Sequence, residues 1–360
     1  MNRILLPLAT VFILSVFSCK KEVETITPMV KPAVNPELGP MPYQKLSDYG
    51  FFKGDMKNQI PEDELFSYEP ISSLFTDYAK KKRFIRMPEG GEKATFVEGN
   101  KLLDFPIGTI LIKNFYYDNV LPGNTTRIIE TRLLIKEASG WIFAEYVWND
   151  EQTEAYLDMN GSYTEISWME NGVQKSTNYR IPSETECLIC HKFNSNPIPI
   201  GVKPQHMNKL HQYASGMKNQ LQEMVDKGYL EGGFSENYVS LVDYKDQSEP
   251  VDLRLRSYLD INCAHCHSEN SHCDYRPLRL AYSETTELSN LGVCVEPDEQ
   301  INSALVYIVA PSNTARSVMH FRLSSTSEAT RMPLLGRSIV HEEGVQLLEE
   351  WINTLSPCGG

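Results

Sequence analysis

The pattern of hydrophobic and polar positions predicts strands in the first half of the chain and helices in the second. Between residues 44 and 180, runs of Ile, Leu, Phe, Tyr and Trp alternate with turn residues. Asn-Gly pairs at 160–161 and 171–172 favour tight turns, and Ala-Ser-Gly at 138–140 separates two apolar runs as in a hairpin. We therefore expect an antiparallel sheet or a β-sandwich over residues 44–180. The basic run at 80–83 is interpreted as a solvated face or a helix end.

After residue 180, apolar residues recur every three or four positions, which is typical of helices. Residues 208–230 show this pattern, and residues 251–259 predict an amphipathic helix that leads directly to Cys263. Glu342 and Glu343 suit the start of a last helix with a stripe of apolar residues. The predicted fold class is α+β multidomain, with an N-terminal β-rich domain at 44–180 followed by an α-helical region at 181–360.

Two copies of one pentapeptide carry the chemistry of the helical region. Cys187-Leu188-Ile189-Cys190-His191 and Cys263-Ala264-His265-Cys266-His267 both read Cys-x-x-Cys-His, the attachment site of c-type haem. Two covalently bound haem c groups are therefore expected, one in a first module at 181–250 and one in a second at 251–360. The predicted attachment residues are Cys187, Cys190, Cys263 and Cys266, and the predicted proximal iron ligands are His191 and His267. A zinc site built from the four cysteines would leave both histidines unexplained, and a thioredoxin-like dithiol would need a βαβ context.

The sequence favours one distal ligand for the iron of the second haem and leaves the distal ligand of the first haem open. Met332, in Arg331-Met332-Pro333, is the expected distal ligand of the second iron because it lies between the second motif and the predicted last helix. Its thioether would favour ferrous iron. Met319 is the next candidate. Pro277 lies ten residues after His267, where a resemblance to class I cytochromes c implies that a proline carbonyl orients the proximal imidazole. The distal ligand of the first iron stays open among His206, Met207, His211, Met217 and none.

The remaining cysteines suggest a disulfide. Four cysteines are assigned to haem and Cys19 to a lipid, which leaves Cys273, Cys294 and Cys358. In an oxidising compartment two of these would pair, most simply Cys273 with Cys294, although the sequence does not determine the connectivity.

The N-terminus indicates export. Residues 4–17 form an apolar stretch shorter than the roughly twenty residues that span a bilayer. Val16-Phe17-Ser18-Cys19 resembles a lipobox, so we expect a signal peptide at 1–18, a lipid on Cys19 and a Pro-rich tether at 19–43. An ordinary signal peptide cleaved nearby is the alternative. Lys20 favours the outer membrane, which makes the expected location the cell envelope, with the protein facing the periplasm or the surface. A net charge of −13 disfavours nucleic acid and favours basic protein partners.

Several stretches of the chain carry a family resemblance. The strings LFTDYAKKKRFI, DFPIGTILIKNFYY, YVWNDEQTEA, ECLICH, YLDINCAHCH and RMPLLGRSIVHEEGVQLLEEWI resemble a bacterial family of exported dihaem c-type cytochromes whose role is uncharacterised. The likeness runs from about residue 45 to 355, and the order of motifs at 251–360 is similar to a class I cytochrome c. The resemblance implies a lipoprotein that is often encoded beside an exported parallel β-helix protein.

Electron transfer is the function that these features favour. Familiar catalytic signatures such as G-x-S-x-G and H-E-x-x-H are absent from the sequence, so no catalytic residue is predicted. One alternative is a dihaem peroxidase-like enzyme, in which the first haem lacks a distal ligand. The other is a surface-binding module, in which the β-rich domain recognises a polymer or a surface protein and the haems exchange electrons there.

Overall fold

The computed structural model describes residues 40–97, 101–232 and 240–359. The predicted signal peptide, Cys19 and residues 19–39 of the tether lie outside these ranges. Within the ranges, no helix combines the length and the apolar character needed to cross a bilayer.

One antiparallel sheet of eight strands occupies the N-terminal part of the described chain. The strands are β1 (Leu65–Ser67), β2 (Lys80–Arg86), β3 (Ile110–Val120), β4 (Thr125–Glu137), β5 (Gly140–Trp148), β6 (Ala155–Leu157), β7 (Ser162–Glu170) and β8 (Val173–Ile181). Strands β1 to β6 are neighbours in chain order, while β7 pairs with both β3 and β8. The sheet is therefore a meander with an added hairpin.

Local turn chemistry closes two of its hairpins. Asn171 and Gly172 have φ values of 51° and 80°, the pair of positive angles that a type I′ turn requires between β7 and β8. Glu137 pairs with Gly140, so two residues connect β4 to β5. Both hairpins confirm the turns predicted from the sequence.

The two faces of the sheet have different surroundings because successive side chains point to opposite sides. Ile110 and Ile112 of β3 lie in an apolar core with aromatic residues from the 43–52 segment. Lys113 and Phe115 point to the other face, which is covered by the chain that follows β8. This covered face forms the floor of the first of two cavities described below.

The basic run at 80–83 forms part of β2, so its interpretation as a solvated face or helix end was wrong. Arg83 is buried, and Lys81 donates a hydrogen bond of 3.0 Å to the Leu74 carbonyl. Strand pairing explains the difference, because Lys81 and Arg83 share a face with their partners Phe115 and Lys113.

The expectation of an α-helical region after residue 180 was wrong. In the described residues the helices there are short, and the longest, α4, has 12 residues. They are α1 (Glu184–Cys190), α2 (Pro204–Met207), α3 (Gln220–Asp226), α4 (Val251–Asn262), α5 (Val318–Ser324) and α6 (Glu342–Ile352), with the strands β9 (Lys192–Phe193), β10 (Asn196–Pro197), β11 (Leu210–Tyr213) and β12 (Gly216–Asn219). Turns and loops make up most of the rest, so the large antiparallel sheet, and not helix, dominates the fold.

The predicted helix at 208–230 is a hairpin of β11 and β12 followed by the short α3. Gly216 has a φ of +108°, which a helix cannot accommodate. The Asn219 side chain then accepts a 3.0 Å hydrogen bond from the backbone N–H of Leu221, so it starts a helix there. The apolar spacing was misleading, because Leu210 and Met217 are largely exposed.

Helices α4 and α6 are present as predicted and pack against each other. Tyr258 and Leu255 of α4 share a buried core with Leu348 and Trp351 of α6. The Trp351 indole also donates a 3.3 Å hydrogen bond to Asp252 at the start of α4. Truncating a leucine in such a core costs about 2–5 kcal/mol, so this pair stabilises the C-terminal part of the fold.

A disulfide joins Cys294 to Cys358, and the predicted pairing of Cys273 with Cys294 was wrong. Cys273 is buried and free. The Cys273 amide instead donates a 2.9 Å hydrogen bond to the Cys266 carbonyl, which holds Cys273 close to the second motif.

We predict that Cys358→Ser lowers the free energy of unfolding by about 4 kcal/mol, because the bond closes a long loop. The sequence separation of its cysteines is 64 residues. Urea unfolding of the two proteins measures the change. Cys273→Ser is the matched control and should have a smaller effect, and non-reducing peptide mapping that joins Cys273 to Cys294 would contradict the assignment.

Candidate functional site

The two Cys-x-x-Cys-His motifs lie side by side in the structure. The thiol of Cys266 donates a 3.4 Å hydrogen bond to the Ile189 carbonyl, inside the first motif. The ligand atoms of Cys190, His265 and Cys266 all lie within 4.8 Å of one another. The fold thus brings the ends of the two motifs into contact.

The first motif is positioned by the end of the sheet. The carboxylate of Glu186 accepts a 2.7 Å hydrogen bond from the Ser183 backbone N–H and pairs with Arg180 of β8 at 2.6 Å. This arrangement is one half of a capping box, and it begins α1 directly after the last strand. Helix α1 carries Cys187 and Cys190, and His191 follows it.

The second motif is positioned by α4. The backbone N–H of Cys263 bonds to the Leu259 carbonyl at 2.9 Å, and that of His267 bonds to the Cys263 carbonyl at 3.0 Å. Asn262, the last residue of α4, accepts a 2.7 Å hydrogen bond from the Phe75 backbone N–H. This bond links the helix to the segment between β1 and β2.

Each motif lines its own cavity. We call the first cavity the one lined by Cys187, Cys190 and His191, with walls from α1, β3, β4 and β5. Its floor is the covered face of the sheet, so residues from both sides of position 180 form one site. The predicted β-rich region therefore contributes directly to the surroundings of the first motif.

The second cavity is lined by Cys263, Cys266 and His267 together with Met332. Met319 and Pro277 also lie in its wall. Most of the lining is apolar, with leucines from α4 and α6. The structure therefore brings the predicted distal residue and the predicted proximal residue to one cavity.

The two cavities share part of their walls. Cys190, Asn262, His265, Pro333 and Leu335 line both of them. Met332 reaches the second cavity from the same loop that contributes Pro333 and Leu335 to the first. The cavities are therefore neighbours separated by few side chains.

The loop that carries Met332 is held by one buried arginine. Arg337 is 3% exposed, and its guanidinium donates to backbone carbonyls along the chain on both sides of Met332. One of these bonds, 3.0 Å long, is to the Met332 carbonyl itself. A planar group with five donors suits this role, because it satisfies several carbonyls at once.

His191 presents one free nitrogen to the first cavity. Its Nδ1 lies 2.8 Å from the Ile198 carbonyl, which can only accept, so Nδ1 carries the proton and Nε2 keeps its lone pair. Burial, followed by the positive charge of Lys113, lowers the pKa of His191 to about 3. The imidazole is therefore neutral at physiological pH.

His267 lacks the hydrogen bond that was predicted for it. Its Nδ1 is buried and, among the described residues, has no hydrogen-bond partner, so the Pro277 carbonyl does not orient it. Burial is the main cause that lowers the pKa of His267 to about 4. The imidazole that is oriented by a backbone carbonyl is that of His191 in the first motif, and the sequence analysis did not predict this bond.

None of the four candidate ligands for the first iron is among the described residues that line the first cavity. His206 is fully buried against Asp260, with a distance of 2.9 Å from Nε2 to the carboxylate. Met207 lies in the core beside Leu221 and Met224. The two others are remote as well: His211 lies 3.3 Å from the Ser67 hydroxyl, and Met217 is 57% exposed.

A row of charged side chains crosses the sheet face that forms the floor of the first cavity. Arg83, Lys113, Arg132 and Glu145 are direct cross-strand neighbours on β2, β3, β4 and β5, and the last three line the cavity. Arg132 pairs with Glu145 at 3.1 Å and also with Glu130. The sequence analysis missed this row. The row could have been predicted from charged residues at alternating positions of the strands, because such residues share one face of a sheet.

Lys113 differs from its neighbours in that row. Burial, followed by the charges of Arg83 and Arg132, lowers the pKa of Lys113 to about 7. In a large fraction of the molecules, the Lys113 amine is therefore uncharged near neutral pH. Its Nζ lies 5.5 Å from the centre of the Phe115 ring.

Three members of the two motifs are also arranged to hold a metal ion. These are Cys190, His265 and Cys266. The zinc site considered from the sequence used all four motif cysteines, and Cys187 and Cys263 do not belong to this cluster. Burial raises the pKa of Cys187 to about 11 and that of Cys263 to about 12, so both are neutral thiols.

Comparisons with known proteins add nothing to this geometry. No family model, curated protein or solved structure matches the chain. The resemblance to exported dihaem cytochromes stays a prediction from the motifs.

Asp260 joins the segments on which the two motifs are built. Its carboxylate accepts hydrogen bonds from Lys203 at 2.8 Å and from the Tyr282 backbone N–H at 2.9 Å, and it contacts His206. Although burial alone would raise the pKa of Asp260, Lys203 and His206 lower it well below the usual range. The carboxylate is therefore ionised and fully engaged.

We predict that Asp260→Asn lowers the free energy of unfolding by about 3–5 kcal/mol at pH 7, because it leaves buried donors without their anion. The folded pKa lies below the unfolded one of about 3.9, so the contribution of Asp260 is complete above pH 4 and is lost as the pH falls further. Urea unfolding of both proteins at pH 7 and pH 3 measures this.

Asp252→Asn is the matched control, since Asp252 lies on the same helix with 48% of its side chain exposed. It should cost less than about 1 kcal/mol. An Asp260→Asn difference that is equally large at both pH values would contradict the electrostatic assignment.

Proposed function

We propose that this protein is an exported dihaem c-type cytochrome that transfers electrons. One observation carries the proposal: each Cys-x-x-Cys-His motif lines its own cavity, and the two cavities share a wall. A protein that moves electrons between two cofactors needs such neighbouring sites.

The residues present fit a haem in each cavity. Haem iron takes a neutral imidazole nitrogen, and His191 offers a free Nε2 because its Nδ1 donates to Ile198. His267 and Met332 line one cavity with mostly apolar walls, which suits a largely apolar porphyrin. Cys187 and Cys190 line the first cavity, and Cys263 and Cys266 line the second, each pair beside the imidazole of its own motif.

The chain's own residues would define how electrons pass. Haem iron supplies a one-electron couple, which the protein tunes through ligands and surroundings. Cys190 and His265 line both cavities, so they would lie between the two haems. Arg337 holds the Met332 loop, so the distal side of the second cavity keeps its shape.

We predict that the mature protein carries two haem groups that survive denaturation. Mass spectrometry of the denatured chain should show a mass increase of two haems, and a haem stain should persist after denaturing electrophoresis. The double variant Cys187→Ala/Cys190→Ala should lose one haem, and Cys263→Ala/Cys266→Ala should lose the other.

Cys273→Ser is the control for these variants, because Cys273 is a buried free cysteine outside both motifs. It should keep both haems. A zinc ion in place of haem would favour the alternative site at Cys190, His265 and Cys266 and would overturn the proposal.

We predict that Met332→Ala abolishes the weak thioether–iron band near the red end of the oxidised spectrum and lowers the potential of one haem. Both Met332 and Met319 line the second cavity, so Met319→Ala is the matched control and should keep the band. Loss of the band in Met319→Ala alone would reassign the ligand.

The location and the partners follow from the same proposal. A lipid on Cys19 would tether the protein to the outer membrane, facing the periplasm or the surface. With a net charge of −13, we expect basic redox proteins to be its electron partners, with association fastest at low ionic strength. The family resemblance adds an exported β-helix protein as a further candidate partner.

A further inference from the structure

Lys113 and His191 both line the first cavity. Strand β4 forms the middle of the floor, with β3 on one side and β5 on the other. Phe143 of β5 contacts the His191 ring, with 5.6 Å between ring centres. Lys113 comes from β3, two strands away, which is roughly 10 Å across the sheet. A group bound in this cavity can therefore contact both His191 and Lys113.

The other donor side chains in the described lining of the first cavity are less suited to bind iron. Glu145 lies 3.1 Å from Arg132, and burial raises the pKa of Glu145 well above its usual range, which disfavours the carboxylate form. Glu186 pairs with Arg180 at 2.6 Å. His265 lies within 4.8 Å of the Cys190 sulfur, at the edge where a porphyrin would be attached and not over its centre. Lys113 forms no ion pair or hydrogen bond among the described residues, and its amine is free to bind a ligand.

The surroundings of Lys113 favour the form that binds iron. An amine coordinates a metal through its lone pair, so it has to be uncharged. Arg83 and Arg132 are its cross-strand neighbours on either side, and both disfavour a third positive charge. Glu130 and Glu145, the carboxylates on the same face, are engaged by Arg132.

From this geometry we propose that the Lys113 amine is the distal ligand of the iron in the first cavity, opposite His191. The assignment rests on the proposed function, because it requires haem at the first motif. It replaces the four distal candidates considered from the sequence. It also closes the position at which peroxide would bind, so the first haem, like the second, is suited to electron transfer.

The test uses the full-length protein matured with its haems. Haem content by mass is determined first, and the oxidised protein is then studied by EPR and near-infrared magnetic circular dichroism, whose charge-transfer band distinguishes histidine–lysine from histidine–histidine and histidine–methionine ligation. The variants are Lys113→Ala and the control Lys81→Met. Lys81 lies on the same sheet face but bonds to the Leu74 carbonyl and does not line the cavity.

Wild-type protein should show two low-spin haems, one of them with the histidine–lysine band. Lys113→Ala should convert that haem alone to high spin, and added imidazole should restore low spin, while Lys81→Met leaves both signals unchanged. In reduced wild-type protein, NMR should show lysine methylene protons shifted far upfield by the porphyrin ring current. The NMR measurement needs no variant, so it tests the Lys113 assignment even if the Lys113→Ala protein does not acquire its haems.

Two haems by mass with a high-spin or histidine–histidine first site would overturn the Lys113 assignment and leave the proposed function standing. An unchanged spectrum in Lys113→Ala would do the same. Absence of covalent haem would instead overturn the proposed function. The two failures are therefore distinguishable in one preparation.

Discussion

The buried carboxylate of Asp260 holds together the parts of the chain on which the candidate site depends. Lys203 and His206 belong to the segment after the first motif, while Asp260 precedes the second motif on α4 and Tyr282 follows it. An anion buried this deeply costs several kcal/mol unless its donors are all in place. Because the donors come from separate segments, satisfying this one charge determines how the two motifs approach each other.

A second electrostatic constraint lies under the first cavity. Lys81, Arg83, Lys113 and Arg132 share one sheet face with the carboxylates Glu130 and Glu145, so positive groups outnumber negative ones. The exterior has the opposite balance, since the whole chain carries a net charge of −13. Burial lowers the pKa of Lys81 and of Lys113, which reduces the excess of positive charge.

Features governed by neighbouring residues could be predicted from the sequence, and features governed by distant contacts could not. The Asn171-Gly172 turn and the start of α6 at Glu342 follow from local chemistry, and both were predicted correctly. Apolar spacing at 208–230 predicted a helix, but the φ of Gly216 and the cap at Asn219 overrode it.

The long-range features depend on how segments meet in space. The bond between Cys294 and Cys358 and the burial of Arg83 are of this kind. The motif identified His191 as a site residue from neighbouring residues alone. Lys113 lies on a strand of the sheet, far from the motif in sequence, and was therefore not predicted. Only the pairing of β3 with β4 and of β4 with β5 places Lys113 in the first cavity.

The two cavities differ in ways that would give an electron a preferred direction. Met332 lines the second cavity, and Lys113 lines the first. A thioether ligand raises the potential of haem iron, whereas an amine, a harder donor, favours the oxidised state. With Lys113 and Met332 as distal ligands, the second haem would be the stronger electron acceptor of the two. The shared wall at Cys190 and His265 would then lie on the path from the lower to the higher potential, and electrons would leave the protein from the second cavity.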